Sequence, residues 1–121
     1  MIIKAPKLPD PLHRLGIIYE EKGDICRSAN YYYMAALMTK KNASELWRKA
    51  AYLYKEDGKI KEAIYCYKRD LMKKFDPEIM KERAICFQEI GENKKAIKDL
   101  STILKHTYDK EVLTGLVQLY N

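Results

Sequence analysis

Cysteine and histidine are scarce in this chain of 121 residues, which has three cysteines and two histidines. Cys26, Cys66 and Cys86 are odd in number and far apart, and none forms a CxxC pair, so neither a disulfide framework nor a zinc site is expected. His13 and His106 are far apart as well, and no nucleophile–base motif accompanies them. We therefore expect a protein that is not an enzyme, needs no cofactor and resides in a reducing compartment.

Long apolar runs are also missing. No stretch approaches the length that crosses a bilayer, and the opening MIIKAPKLPDP is a short apolar piece broken by three prolines, without the h-region of a signal peptide. We expect a soluble intracellular protein with no membrane partner, in which residues 1–9 form an N-terminal extension. Because the net charge is +6, an acidic or phosphate-bearing partner has to be considered. The charges are mixed in sign along the chain, which is typical of solvated helix surface.

One short phrase recurs three times: an aromatic residue, three mostly polar residues and a glycine. It reads YEEKGD, YKEDGK and FQEIGE, and its glycines are Gly23, Gly58 and Gly91, spaced by 35 and 33 residues. A period near 34 residues is typical of a helix–turn–helix repeat. Glycine tolerates the left-handed backbone just past a helix C-terminus, so each phrase predicts the corner of a helical hairpin.

This period predicts an all-α chain of three antiparallel helix pairs and one extra C-terminal helix. The pairs are predicted at 10–22 and 25–40, at 44–57 and 60–74, and at 77–90 and 93–106, with the last helix at 110–120. Asp10-Pro11 and Asp76-Pro77 are strong helix starts, and Ser44 and Asp109 are expected to cap two other first helices.

Apolar residues follow helical spacing on both helices of each pair. Small residues alternate with large ones, as in Trp47, Ala51 and Tyr54 of the second pair, followed by Ala63 and Tyr67. This layout closely resembles the tetratricopeptide repeat (TPR). The resemblance implies a superhelical array over residues 10–121, with repeats at about 10–42, 44–76 and 77–108 and the first helix of a fourth at 110–121. In such an array each hairpin covers the apolar face of the one before it.

Two charged residues interrupt this pattern. Asp70 stands where a TPR has a small residue, and Arg83 where it has leucine. Because a buried charge is costly without a partner, we predict an ion pair between them. The alternative is that both side chains extend to solvent at the edge of the groove.

Three other features have a structural and a functional interpretation. Cys66 is expected to be a packed helix thiol rather than a redox group. The tyrosines of NYYYMAA suggest a base-stacking platform, but on a helix they point in different directions, and Tyr32 is needed in the core. The last helix, VLTGLVQLY, is apolar where a terminal helix should be polar, so we expect the natural chain to continue or this face to pack on another chain.

The first helices of a TPR array line its concave groove. By register, the groove positions carry nine acids against five bases, which leaves eight acids and 18 bases elsewhere. The groove is therefore expected to be acidic and the convex side basic. An apolar line is formed by Ile17, Tyr52 and Ile85, which occupy the same position in successive repeats. The predicted partner contacts are Ile17, Glu20, Glu21, Tyr52, Glu56, Ile85 and Glu89.

Such a groove suits a basic amphipathic segment. The alternative is that the charges only keep the array soluble. Co-chaperone TPRs hold a C-terminal carboxylate with lysine and asparagine. The matching positions in this chain carry His13, Ile17 and Lys49, and neither of the two asparagines of the clamp is present. A clamp for a chaperone tail is therefore disfavoured.

Longer phrases are more particular than a general TPR. GIIYEEKGD, MAAL, ELWRKAAYLYKEDGKIKEAIYCYKR and KERAICFQEIGENKKAI resemble the TPR-bearing subunit of RNA polymerase III transcription factor IIIC. The resemblance spans about residues 5–104. It departs from the family at Asp70 and in the final helix.

This resemblance implies a nuclear scaffold that recruits initiation factor IIIB, and with it RNA polymerase III. Its partners would be subunits of factors IIIB and IIIC, with DNA contacted through the complex or weakly by the basic convex face. Two alternatives stay open: a general assembly scaffold in RNA processing or trafficking, and a helical repeat that binds nucleic acid through its convex face.

Overall fold

The structure is a computed structural model that describes residues 10–121, so the predicted extension at 1–9 lies outside the described residues. Within residues 10–121 the chain is helical, with no strand. Each helix packs against the one before and the one after it in the chain. The predicted array of three antiparallel pairs and one further helix is confirmed. The helices are α1 (Pro11–Glu21), α2 (Ile25–Met38), α3 (Ser44–Glu56), α4 (Ile60–Lys73), α5 (Pro77–Glu89), α6 (Asn93–His106) and α7 (Lys110–Tyr120).

The recurring phrase forms the same corner three times. Gly23, Gly58 and Gly91 have φ of 81°, 79° and 79°, in the left-handed region that favours glycine. At the second corner, the amide of Lys59 donates to the carbonyl of Tyr54 at 2.8 Å, which is the six-to-one bond of a Schellman motif. Tyr54 therefore closes this corner with its carbonyl while its ring is buried in the core.

Aspartates begin most of the first helices. The carboxylates of Asp10, Asp76 and Asp109 accept backbone N–H bonds of 2.9 to 3.0 Å two residues ahead, as predicted. The predicted cap at Ser44 is wrong. Ala43 precedes α3 without a side-chain cap, because the Ser44 hydroxyl donates instead to the buried carboxylate of Asp70.

The core runs between the helices as two clusters of buried side chains. The larger cluster includes Trp47, Tyr54, Ala63 and Tyr67, and the smaller is built from α5, α6 and α7. Leu71 packs against both clusters and so connects them. Small residues stand where helices approach closely. A Cβ added at Gly16, for example, would meet the Tyr32 ring at 2.9 Å.

The helices form two walls. Ion pairs connect first helices to one another, as in Lys49–Glu20 between α3 and α1 and Lys55–Glu82 between α3 and α5. On the other side, the rings of Tyr33 in α2 and Tyr65 in α4 lie 6.1 Å apart. We call the solvent side of α1, α3, α5 and α7 the first-helix face, and that of α2, α4 and α6 the second-helix face.

Helix α7 exposes the apolar side that its sequence predicts. Leu113, Val117 and Tyr120 are exposed, although Trp47, Ala51 and Tyr54 in the same register of α3 are buried beneath α4. None of the helices within residues 10–121 has the length and apolarity of a bilayer-spanning helix.

The three thiols are expected to differ sharply in reactivity. Burial raises the pKa of the Cys66 thiol to about 12 and that of Cys86 to about 11, whereas Cys26 is partly exposed. Because the thiolate is the reactive form, iodoacetamide at pH 8 should modify Cys26 alone in the folded protein and all three thiols in urea. Peptide mass spectrometry of the alkylated protein checks this, and rapid native labelling of Cys66 would contradict it.

Candidate functional site

The first-helix face carries a row of three apolar residues at one register position, six residues before each corner glycine. Tyr52 is 53% exposed and Ile85 is 37% exposed, so both present apolar surface to solvent. Ile17 is half-buried and packs against the larger core cluster. The row therefore offers two exposed anchors and a third that lies deeper.

A row of glutamates runs beside the apolar row. Glu21, Glu56 and Glu89 each lie two residues before a corner glycine, and all three are exposed. Each glutamate is four residues after an apolar member, so the two side chains are neighbours on one helix surface. No ion pair holds these three carboxylates within residues 10–121. We call Ile17, Tyr52, Ile85, Glu21, Glu56 and Glu89 the groove ladder.

Glu20 has a different role from the other predicted contacts. Its carboxylate pairs with the Lys49 ammonium at 2.5 Å and accepts a 3.3 Å hydrogen bond from the Tyr32 hydroxyl. Burial, with a contribution from Glu20, raises the pKa of Tyr32 to about 12. Glu20 is therefore already engaged in joining α1, α2 and α3.

The bases of this face are mostly neutralised by acids of neighbouring helices. Lys49 pairs with Glu20, Lys55 with Glu82 at 3.3 Å, and Lys81 with Asp109 at 2.9 Å. The hydrogen bond to Lys81 lowers the pKa of Asp109 below its ordinary value. Because these bases are paired, the carboxylates of Glu21, Glu56 and Glu89 add uncompensated negative charge to the groove ladder.

The predicted ion pair between Asp70 and Arg83 is wrong. The carboxylate of Asp70 accepts from Arg48 at 2.8 Å and from Ser44, and Arg48 also reaches Asp76 at 2.7 Å. Asp70 and Arg83 each find a partner on the other helix of their own hairpin. Both charges are thus satisfied, and neither extends to solvent at a groove edge.

Arg83 forms the second such contact. Its guanidinium donates to Asp99 of α6 through two parallel bonds of 2.8 and 2.7 Å. The sequence prediction missed Asp99. It stands three residues after Ala96 and one before Leu100 on the buried side of α6, so its place in the apolar stripe was the available signal.

Both histidines and one of the cysteines pack against neighbouring side chains. His13 packs against the Tyr32 ring at 5.4 Å, and His106 lies against Phe75 at 4.3 Å. Cys66 is buried among core side chains, as its packed position predicts. Within residues 10–121, no group of three or more His, Cys, Asp or Glu side chains is placed to hold a metal ion.

Comparison with solved structures identifies the fold. A tetratricopeptide repeat protein from Parabacteroides merdae is 24% identical with a TM-score of 0.75, over 90% of this chain and 44% of that one. The N-terminal domain of stress-induced protein-1 from C. elegans is 17% identical with a TM-score of 0.74, over 91% and 92%. The first TPR of Spaghetti, bound to an HSP90 peptide, is 16% identical with a TM-score of 0.69, over 90% and 87%. The chain therefore has the fold of a TPR array.

Comparison with curated proteins gives a narrower similarity. No family model matches the chain. The human protein General transcription factor 3C polypeptide 3 is 34% identical over 77 residues, which are 64% of this chain and 8% of the human protein. The chain thus spans a small part of that relative's length.

Proposed function

We propose that this chain is a scaffold segment of a transcription factor IIIC subunit that recruits initiation factor IIIB for RNA polymerase III transcription in the nucleus. The groove ladder is the observation that carries the proposal, because an apolar side chain and an exposed carboxylate recur at the same register in three successive repeats. The 34% identity to a human general transcription factor 3C polypeptide supports the choice of complex. In this proposal the first-helix face holds a basic amphipathic segment of a factor IIIB subunit.

The spacing of the groove ladder explains the kind of segment. Each step offers an apolar side chain with a carboxylate one helical turn away, as in Tyr52 with Glu56. A partner that alternates apolar and basic residues can bury its apolar side against Tyr52 and Ile85 while its lysines or arginines meet Glu56 and Glu89. The unpaired glutamates also accelerate the encounter with a basic partner at low salt.

The same geometry argues against capture of a carboxylate tail. Lys49 is the lysine that a carboxylate clamp would use, and it is already paired with Glu20 at 2.5 Å. Glu82, at the equivalent place in the third repeat, faces the groove with negative charge and pairs with Lys55. A free carboxylate would meet repulsion here rather than a clamp.

Tyr52→Asp should weaken binding of a labelled basic factor IIIB peptide by a factor of about 30, because a buried aromatic anchor contributes about 2 kcal/mol. Fluorescence anisotropy of the labelled peptide is the suitable measurement. Trp47 is 2% exposed and does not face this groove, so its emission should change little. Tyr108→Asp is the matched control, since Tyr108 is an exposed tyrosine in the turn between α6 and α7.

A triple variant tests the charges separately. Replacing Glu21, Glu56 and Glu89 with glutamine should reduce both the affinity and its dependence on salt, while far-UV circular dichroism stays unchanged. Binding that is equal in Tyr52→Asp and Tyr108→Asp would remove the groove from the proposal. Equal binding of unrelated basic peptides would favour a general assembly scaffold.

Nucleic-acid binding by the second-helix face is the second candidate function. Its support is the excess of lysine there, including Lys94, Lys95 and Lys98, which are all exposed on α6. A duplex DNA titration in the same assay tests it. Tight DNA binding that falls steeply with salt and is unaffected by Tyr52→Asp would move the function to that face.

A further inference from the structure

Exposed apolar side chains cluster on part of the second-helix face. Leu37 and Met38 at the end of α2, and Tyr65 and Met72 on α4, are all exposed, and Met72 reaches 71%. The two helix ends lie close together, since the Lys73 ammonium is 3.4 Å from the carbonyl of Lys40. Helix α6 shows no exposed large apolar residue, so the apolar surface is confined to α2 and α4.

An open depression of about 450 Å³ lies on α4 within this cluster. It is lined by Tyr65, Lys68, Arg69, Met72 and Lys73, which are three bases and two large apolar residues with no carboxylate. The charged residues of this depression are basic, whereas those of the groove ladder are acidic. It is suited to a ligand that carries negative charge next to an apolar group.

Arg69 is held in place at this depression. Its guanidinium lies over the Trp47 ring at 4.9 Å and over the Tyr65 ring at 6.0 Å, and one N–H donates to the Tyr65 hydroxyl at 3.1 Å. These contacts fix the guanidinium before any ligand binds, which reduces the entropy lost on binding. Trp47 itself is buried in the core, so the platform beneath Arg69 is rigid.

Arg69 also differs from the other fixed arginines in having no acid. Arg27, Arg48 and Arg83 each pair with an aspartate, whereas within residues 10–121 no carboxylate lies within ion-pair distance of Arg69. A guanidinium presents its donors in a planar fork that matches a carboxylate. The geometry thus leaves donors of Arg69 free for an external anion.

We propose that this depression is a second protein-binding site, which takes an acidic amphipathic peptide segment. A carboxylate of the segment pairs with Arg69, and an adjacent apolar side chain packs against Met72 and Tyr65. Lys68 and Lys73 attract further acids of the same segment. This site is independent of whatever occupies the groove ladder on the opposite face.

A peptide explains the surface better than a nucleic acid does. Phosphates would satisfy Arg69, Lys68 and Lys73, but they would leave Leu37, Met38 and Met72 in water. Exposed methionine and leucine side chains are stabilised when the apolar side chains of a partner cover them, and methionine adapts its shape to varied partners. Nucleic-acid sites without sequence preference use several aromatic rings that stack on successive bases along a basic track. The lining of this depression has one aromatic ring, that of Tyr65.

The test uses the full chain and a fluorescein-labelled peptide that alternates Asp and Glu with Leu and Phe. We expect saturable binding by anisotropy, and a simultaneous change in the emission of Trp47, the single tryptophan, because the carboxylate pairs with the guanidinium above its ring. Arg69→Met should weaken binding by about tenfold or more, the loss of a charged hydrogen bond. Arg27→Met is the matched control, since Arg27 lies over the Tyr19 ring at 5.6 Å but already pairs with Asp24.

A second variant separates the proposal from misfolding. Lys68→Glu combined with Lys73→Glu alters only exposed side chains, so the circular dichroism spectrum should stay unchanged. Peptide binding should still weaken, because the new glutamates repel the acids of the peptide. Absence of peptide binding to the wild type, or equal binding to Arg69→Met and Arg27→Met, overturns the proposal. Displacement of the peptide by single-stranded DNA at lower concentration than by unlabelled peptide would identify a nucleic-acid site instead.

Discussion

Arg83→Leu is expected to lower the free energy of unfolding by about 3–5 kcal/mol, although leucine is the residue that a TPR has at this position. The substitution removes both hydrogen bonds to Asp99, whose side chain is only 6% exposed. The carboxylate would then stay buried without a partner. The free-energy cost of this unpaired charge exceeds the stabilisation that the apolar contacts of the new leucine provide. Urea unfolding followed by far-UV circular dichroism measures the effect.

The double variant Arg83→Leu with Asp99→Leu is the control. It removes both charges, so the stability should return close to that of the wild type or exceed it, as happens when a buried ion pair is replaced by apolar residues. A second cycle uses Asp70→Ala, whose partner is Arg48 rather than Arg83. Effects of Asp70→Ala and Arg83→Leu should add, and strong coupling between them would contradict the partners described here.

The helical array was predictable because its signals are local. Each corner needs a glycine with positive φ, and the Asp-Pro pairs fix two helix starts, so these residues determine the elements without information from distant parts of the chain. The one wrong cap has a tertiary cause. Ser44 is a residue type that often caps helices, but its hydroxyl donates to the buried carboxylate of Asp70 in α4.

Partner choice among charged residues was less predictable. A helical pattern shows that Asp70 and Arg83 stand on buried sides, but long arginine side chains reach several acids, and only the packing of the hairpins selects Arg48 and Asp99. The groove ladder lies between these cases. Its register follows from the glycines alone, whereas the depth of Ile17 and the engagement of Glu20 by Lys49 depend on how α1 packs.

Arg48→Met is expected to cost about 3 kcal/mol or more, with the same physical cause in the second hairpin. Asp70 is 2% exposed and would keep only the hydrogen bond from Ser44, while Asp76 would lose its partner as well. One substitution thus leaves two carboxylates without their shared guanidinium. Urea unfolding under the conditions used for Arg83→Leu gives the comparison.

Asp70→Ala should be much milder, at about 1 kcal/mol, and this asymmetry distinguishes an arginine-centred network from a simple pair. The side chain of Arg48 is 41% exposed and retains Asp76, so it is hydrated and paired after Asp70 is removed. A simple buried pair would lose similar stability from either side. Equal losses for Arg48→Met and Asp70→Ala would contradict this description, because Arg48 would then be stabilised neither by water nor by Asp76 once Asp70 is removed.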